Sequence, residues 1–76
     1  MALYFFHVMN GKADIDDVGI ECAGMDAVRE EAIRSSGQML STGRQSWTGD
    51  AWRMTVADAD GTIVFGVIFS IDRHGL

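Results

Sequence analysis

The chain has no proline and one cysteine, Cys22, in 76 residues. A lone thiol excludes an internal disulfide, so no covalent staple is available to this small fold. Basic residues are few: six Lys and Arg stand against eleven Asp and Glu, a formal charge of −5. That balance argues against a general nucleic-acid binder, whose affinity comes from neutralising phosphates. It equally disfavours docking on anionic lipid. No apolar run approaches the roughly 20 residues of a membrane-spanning helix. The N-terminal residues lack a basic region followed by an apolar stretch and a small-residue cleavage site. With the unpaired thiol, this sets the expected location as the cytoplasm. Phosphate-binding GxGxxG and Walker-type loops are missing too, and the nine glycines are scattered.

What is present reads as one small globular domain over residues 1–76: 47% of the chain is hydrophobic and 22% charged. A domain this short buries only about 60% of the surface its unfolded chain exposes. With disulfides excluded and no ligand cluster for a metal, oligomerisation is the remaining stabiliser.

The stretch Leu3 to Met9, LYFFHVM, reads as a β-strand with no polar side. Tyr4, Phe6 and Val8 point one way; Leu3, Phe5, His7 and Met9 point the other. Asn10-Gly11 is a turn signal, followed by an acidic loop from Lys12 to Asp17. Val18 to Cys22 reads as a short edge strand guarded by Glu21. Met25 to about Leu40 is the helix. Met25, Val28, Ala32, Ser36, Met39 and Leu40 line one face, widened by Ile33. Gly24 is the expected N-cap and Gly43 the stop. Glu30 and Arg34 are spaced for an i,i+4 ion pair. Gly37, with Ser35 and Ser36, makes a patch of small residues.

Arg44 to Asp50 is a polar loop carrying Trp47, which either caps the core or sits at an interface. Ala51 to Ala57 alternates, with Trp52, Met54 and Val56 inward and Arg53 and Thr55 outward. Asp58-Ala59-Asp60-Gly61 is a tight turn. Thr62 to Ile71 is the last strand, apolar on both faces: Ile63, Phe65, Val67, Phe69 and Ile71 on one, Val64, Gly66, Ile68 and Ser70 on the other. The fold class is therefore α+β, in the order β-β-α-β-β, a four-stranded mainly antiparallel sheet with one helix packed on one face. Strands apolar on both sides belong in the centre, which favours the sheet order 2-1-4-3 over 2-1-3-4. One helix covers one face of such a sheet and leaves the other bare. An apolar face of that kind marks an interface.

Candidate chemistry is thin. His7 has no second ligand at a telling spacing, and is expected to be a hydrogen-bonded packing or interface histidine. Cys22 pairs with His7 only if neighbouring strands bring them together, and no third member or oxyanion hole is specified. Asp14, Asp16, Asp17, Gly19 and Glu21 echo a calcium loop. However, Val18 holds the fifth position and Met25 stands where the bidentate glutamate belongs. No catalytic residue, cofactor or metal ligand is assigned.

The opening YFFHV at Tyr4 to Val8, the segment Asp17-Val18-Gly19-Ile20-Glu21 and the helix start Asp26 to Ala32 carry a resemblance. So do Trp52-Arg53-Met54 through Val56, Asp58, Gly61 and Phe69-Ser70. Together these resemble a family of short alphaproteobacterial proteins of unknown function, over nearly the whole chain. Cys22-Ala23-Gly24 departs from it, standing where such proteins often carry Leu-Pro-Asp ahead of the helix. The resemblance implies a single cytoplasmic domain and brings no activity, ligand or catalytic residue.

The expected function is a non-enzymatic, homo-oligomeric protein-interaction module, a dimer that also takes an unidentified protein partner. Its interface candidates are Tyr4, Phe5, Phe6, His7, Val64, Ile68 and Trp47. A nucleic-acid-associated regulator is the alternative, and would need Arg29, Arg34 and Arg53 on one positive face. A small metal binder or enzyme using His7 with Cys22 or the acidic loop ranks below both.

Overall fold

An uncharged segment that is apolar on both faces belongs inside a sheet, with a ladder on each edge. In the computed structural model, which describes residues 1–42, 51–72, 74 and 75, this segment is β1 (Ala2–Met9). Two short strands pair in tandem with its ends: β2 (Ala13–Asp14) with Val8 and Met9, and β3 (Ile20–Cys22) with Ala2 to Tyr4. Strand β4 (Ala51–Ala57) pairs with Phe5 to Met9, and β5 (Ile63–Ser70) pairs with β4. Every pairing is antiparallel, in the order β2-β1-β4-β5 with β3 beside β1. The fold is α+β, a five-stranded sheet with helix α1 (Met25–Thr42) packed against it.

Register decides what the helix covers. Phe6 faces Val56, Val8 faces Met54, and Met54 faces Val67, so these residues share one side of the sheet. Val28 and Ala32 of α1 close over them, and Val28, Ala32, Trp52, Met54 and Val56 are fully excluded from solvent. Each large apolar side chain buried here contributes about 1.5–3 kcal/mol. The Gly24 carbonyl accepts the first helical hydrogen bond from Val28 N at 3.0 Å, the N-cap arrangement expected. Val28, Ala32 and Ser36 form the buried stripe, and the Ser36 hydroxyl is satisfied by the Ile33 carbonyl at 3.1 Å. Met25 and Ile33, expected on that stripe, are about half exposed, because the covered arc is narrower than the apolar arc. Arg34 bonds Glu31 at 2.7 Å rather than Glu30. The Ser35 hydroxyl donates to the same carboxylate and holds it in reach.

Three expectations are corrected. The order 2-1-4-3 gives way to the fully antiparallel arrangement, with Ala51–Ala57 central and Ile63–Ser70 outside it. The short link between the last two strands decides this. Asp58 N donates to Thr62 O at 2.9 Å and Gly61 N to Asp58 O at 3.0 Å. Asp58 Oδ1 takes Asp60 N and Thr62 N at 2.9 and 3.0 Å, and Gly61 sits at φ 84°. Strands joined so tightly must pair as a hairpin. The polar side of β4 signals an uncovered face, not an edge. Second, the strand expected at Val18 to Cys22 is shortened to β3, Ile20–Cys22, with Val18 outside it and 78% exposed, while the separate two-residue β2 falls within the stretch from Lys12 to Asp17 expected to be a loop. Third, a bulge between Val56 and Ala57 sets Ile63 opposite Ala57 on the uncovered side and leaves Val64 packed against the core. The stop expected at Gly43 lies outside the described residues.

Candidate functional site

The uncovered side of the sheet carries Leu3, Phe5, His7 and Met9 from β1. Beside them stand Thr55 opposite His7, Arg53 opposite Met9, and Ile68 opposite Arg53. The Phe5 and His7 rings lie parallel, 4° apart, with centroids separated by 6.4 Å. Leu3, Phe5 and His7 are half-buried although, among the described residues, no helix lies on them. Their cover is the loop between β2 and β3. A Cβ on Gly19 would meet Leu3 Cγ, Leu3 Cδ1 and Phe5 Cε1 at 3.0 Å each, so the loop backbone rests directly on these side chains. Gly19 also sits at φ 81°, a conformation that side-chain-bearing residues rarely adopt.

Asp16 holds that loop. The ladder along β1 is interrupted between the Val8–Asp14 and Tyr4–Ile20 pairs. In the gap the Asp16 carboxylate replaces a backbone acceptor: Phe6 N donates to Oδ2 at 3.1 Å. Its Oδ1 accepts Val18 N at 3.0 Å and Gly19 N at 3.1 Å. In return Asp16 N donates to His7 Nδ1 at 3.1 Å, which makes His7 an acceptor at that nitrogen. Burial pushes the Asp16 carboxyl up. The three backbone donors and the nearby His7 outweigh it and hold the group below the ordinary carboxylate range.

The interface candidates divide between the two faces. Tyr4, Phe6 and Val64 lie against the core under the helix, with Phe6 only 7% exposed. Phe5, His7 and Ile68 lie on the uncovered side. Trp47 lies outside the described residues. Cys22 pairs with Ala2 and packs into the covered core, while His7 points to the opposite face, so the two do not meet. Burial, with Glu31 nearby, raises the Cys22 thiol and disfavours the thiolate a nucleophile needs. Among the described residues no three His, Cys, Asp or Glu side chains group to hold a metal ion. The carboxylate of Asp16, the third position of the calcium-like pattern, is taken up by backbone donors. Arg53 is on the sheet face away from α1, and Arg29 and Arg34 diverge around the helix, so the three do not form one positive face.

One surface was not anticipated from the sequence. A groove runs between the second half of α1 and β5. Ile33, Gly37 and Leu40 line it on one side, Val67 and Ile68 on the other, and none of the described lining residues is charged. Its signal was the small-residue patch around Gly37, which gains meaning only once β5 is known to lie outside β4.

Residues 3–70 match a domain of unknown function, DUF6894, and the chain belongs to that family. Comparison with the curated proteins and with the solved structures returned no match. The function is unknown, and no helix among the described residues is long and apolar enough to cross a membrane.

Proposed function

We propose that this chain is a non-enzymatic interaction module that works as a homo-oligomer in the bacterial cytoplasm. One observation carries the reading: among the described residues, large apolar side chains of the last strand stand exposed with no second layer above them. Ile63 and Ile68 are 68% and 62% exposed, and both belong to β5. Contiguous apolar surface of this kind is rare on a monomer and usual where another protein docks. The chain's small size adds a thermodynamic reason, since a partner supplies burial that 76 residues cannot supply alone. The resemblance of the YFFHV strand, Tyr4 to Val8, to short alphaproteobacterial proteins supports the bacterial setting. The divergent arginines remove the geometric support for a nucleic-acid regulator.

Sedimentation velocity across micromolar concentrations tests the proposal. A dimer or larger species is expected. A monomer at every concentration overturns it.

A further inference from the structure

We propose that the segment from Ile15 to Gly19 is a pH-gated flap: protonation of His7 releases it from β1 and uncovers Leu3 and Phe5. The device concerns this loop alone and stands or falls separately from self-association.

The flap has few fastenings. It spans the gap between the Val8–Asp14 and Tyr4–Ile20 pairs. Among the described residues, two hydrogen bonds join it to β1 across that gap: Phe6 N to Asp16 Oδ2 and Asp16 N to His7 Nδ1, each 3.1 Å. Both run through Asp16, and each needs one protonation state. The first needs an ionised carboxylate. The second needs His7 Nδ1 without a proton, because an imidazole nitrogen accepts only through its free lone pair. The two requirements fail at different acidity. Against the upward push of burial, three backbone donors and His7 hold the Asp16 carboxyl below the ordinary range, so it stays charged in mild acid. Imidazole is the side chain that changes charge between about pH 5 and 8. As pH falls, the His7 fastening therefore goes first.

A proton on Nδ1 sets one N–H against another, the Asp16 amide, and the bond is lost. The charges around His7 do not restore it. The Asp16 carboxylate attracts an imidazolium, but it already accepts from Phe6, Val18 and Gly19. A ring turned toward it also leaves Asp16 N without its acceptor. Arg53, on the same face opposite Met9, repels the new charge. The remaining neighbours on that face are uncharged: Phe5 and Met9 on β1 and Thr55 opposite on β4. Strand β5 contains no charged residue. Asp17 follows Asp16 in the exposed part of the loop, Asp14 pairs with Val8 on the other face, and α1 packs on that other face too. When the loop lifts, the Gly19 backbone leaves Leu3 and Phe5, and apolar surface of β1 opens to solvent.

Amide hydrogen exchange by NMR, corrected for its intrinsic pH dependence, reads the two fastenings at Phe6 and Asp16. In the wild type, protection of both should fall on the order of tenfold between pH 8 and pH 5, the loss of one hydrogen bond with its donor stranded. The fall should share its midpoint with the His7 ring resonances. The other histidine, His74, lies 3.2 Å from Asp72 in the exposed tail and serves as the control. Two variants isolate the acceptor. His7→Asn puts a non-titrating oxygen near the place of Nδ1 and should keep both amides protected at both pH values. His7→Phe keeps a ring without an acceptor and should leave both poorly protected throughout. Wild-type protection that is constant through the His7 titration overturns the proposal. A loss confined to Asp16 also overturns it, since the flap then stays down. So does an equal loss in His7→Asn, which would place the trigger elsewhere. If a variant does not fold, the residue-resolved wild-type titration decides alone.

Discussion

At the scale of single residues, Asp16 joins loop, strand and histidine. Its carboxyl titrates lower in the folded chain than in the unfolded one, by the backbone donors of Phe6, Val18 and Gly19 acting against burial. The sign follows directly. Its contribution is complete above the ordinary carboxylate range and is lost as pH falls through the folded value. Asp16→Ala should therefore cost on the order of 2 kcal/mol at neutral pH, the loss of hydrogen bonds to a charged acceptor. In urea unfolding, the gap to the wild type should narrow as the solution is taken to about pH 3, below the unfolded carboxyl. A gap that stays constant into acid would mean the charge contributes nothing. Gly19 gives a second reading of the same loop. Gly19→Ala meets both φ 81° and contacts of 3.0 Å with Leu3 and Phe5, whereas Gly11→Ala meets φ 105° in open space. Backbone strain alone costs about 1–3 kcal/mol. Gly19→Ala should exceed Gly11→Ala in lost thermal stability, and equal losses would mean the loop does not press on those side chains. The sequence did not disclose this role for Asp16. An acid between other acids reads as a solvated loop, and only the interrupted ladder beside Phe6 gives it a task. His7 was more legible: flanked by aromatics and lacking a second ligand, it was expected to be a hydrogen-bonded packing histidine, and it accepts from Asp16 N.

At the scale of elements, periodicity located β1, α1, β4 and β5 to within two residues, because each alternates or repeats over seven residues or more. It failed where elements are short or where neighbours decide. The two- and three-residue strands β2 and β3 carry no period to read. The strand order failed for a different reason. Alternation in β4 reports which face is covered, not where the strand lies in the sheet. The helix carries a local flaw that can be tested. Gly37 is exposed, and a Cβ there would meet nothing within 4 Å. Gly37→Ala should raise stability by about 1 kcal/mol through the lower backbone entropy of the unfolded chain and the better helix propensity. The check is the urea midpoint. No gain would mean that the wild-type helix is already frayed at that turn.

At the scale of the whole molecule, size and exposed apolar surface have one joint consequence. A chain of 76 residues has little core to hold it, and the open side chains of β5 leave part of its hydrophobic content unused in a monomer. If a second copy covers that surface, folding and association are linked, and stability depends on protein concentration. A tenfold rise in concentration then adds about 1.4 kcal/mol per dimer, half of that for each chain. For a domain of this length, about 1 kcal/mol moves the melting temperature by about 4–8 °C. The wild type should therefore melt about 3–6 °C higher for each tenfold increase in concentration. Ile68→Lys should melt at a temperature independent of concentration, and should lie below the wild type most clearly at high concentration. Scanning both proteins over two decades of concentration separates this from an ordinary surface substitution, which would shift both curves without changing their slope. A flat wild-type curve would mean that the core under α1 is sufficient by itself and that β5 is open for some other purpose.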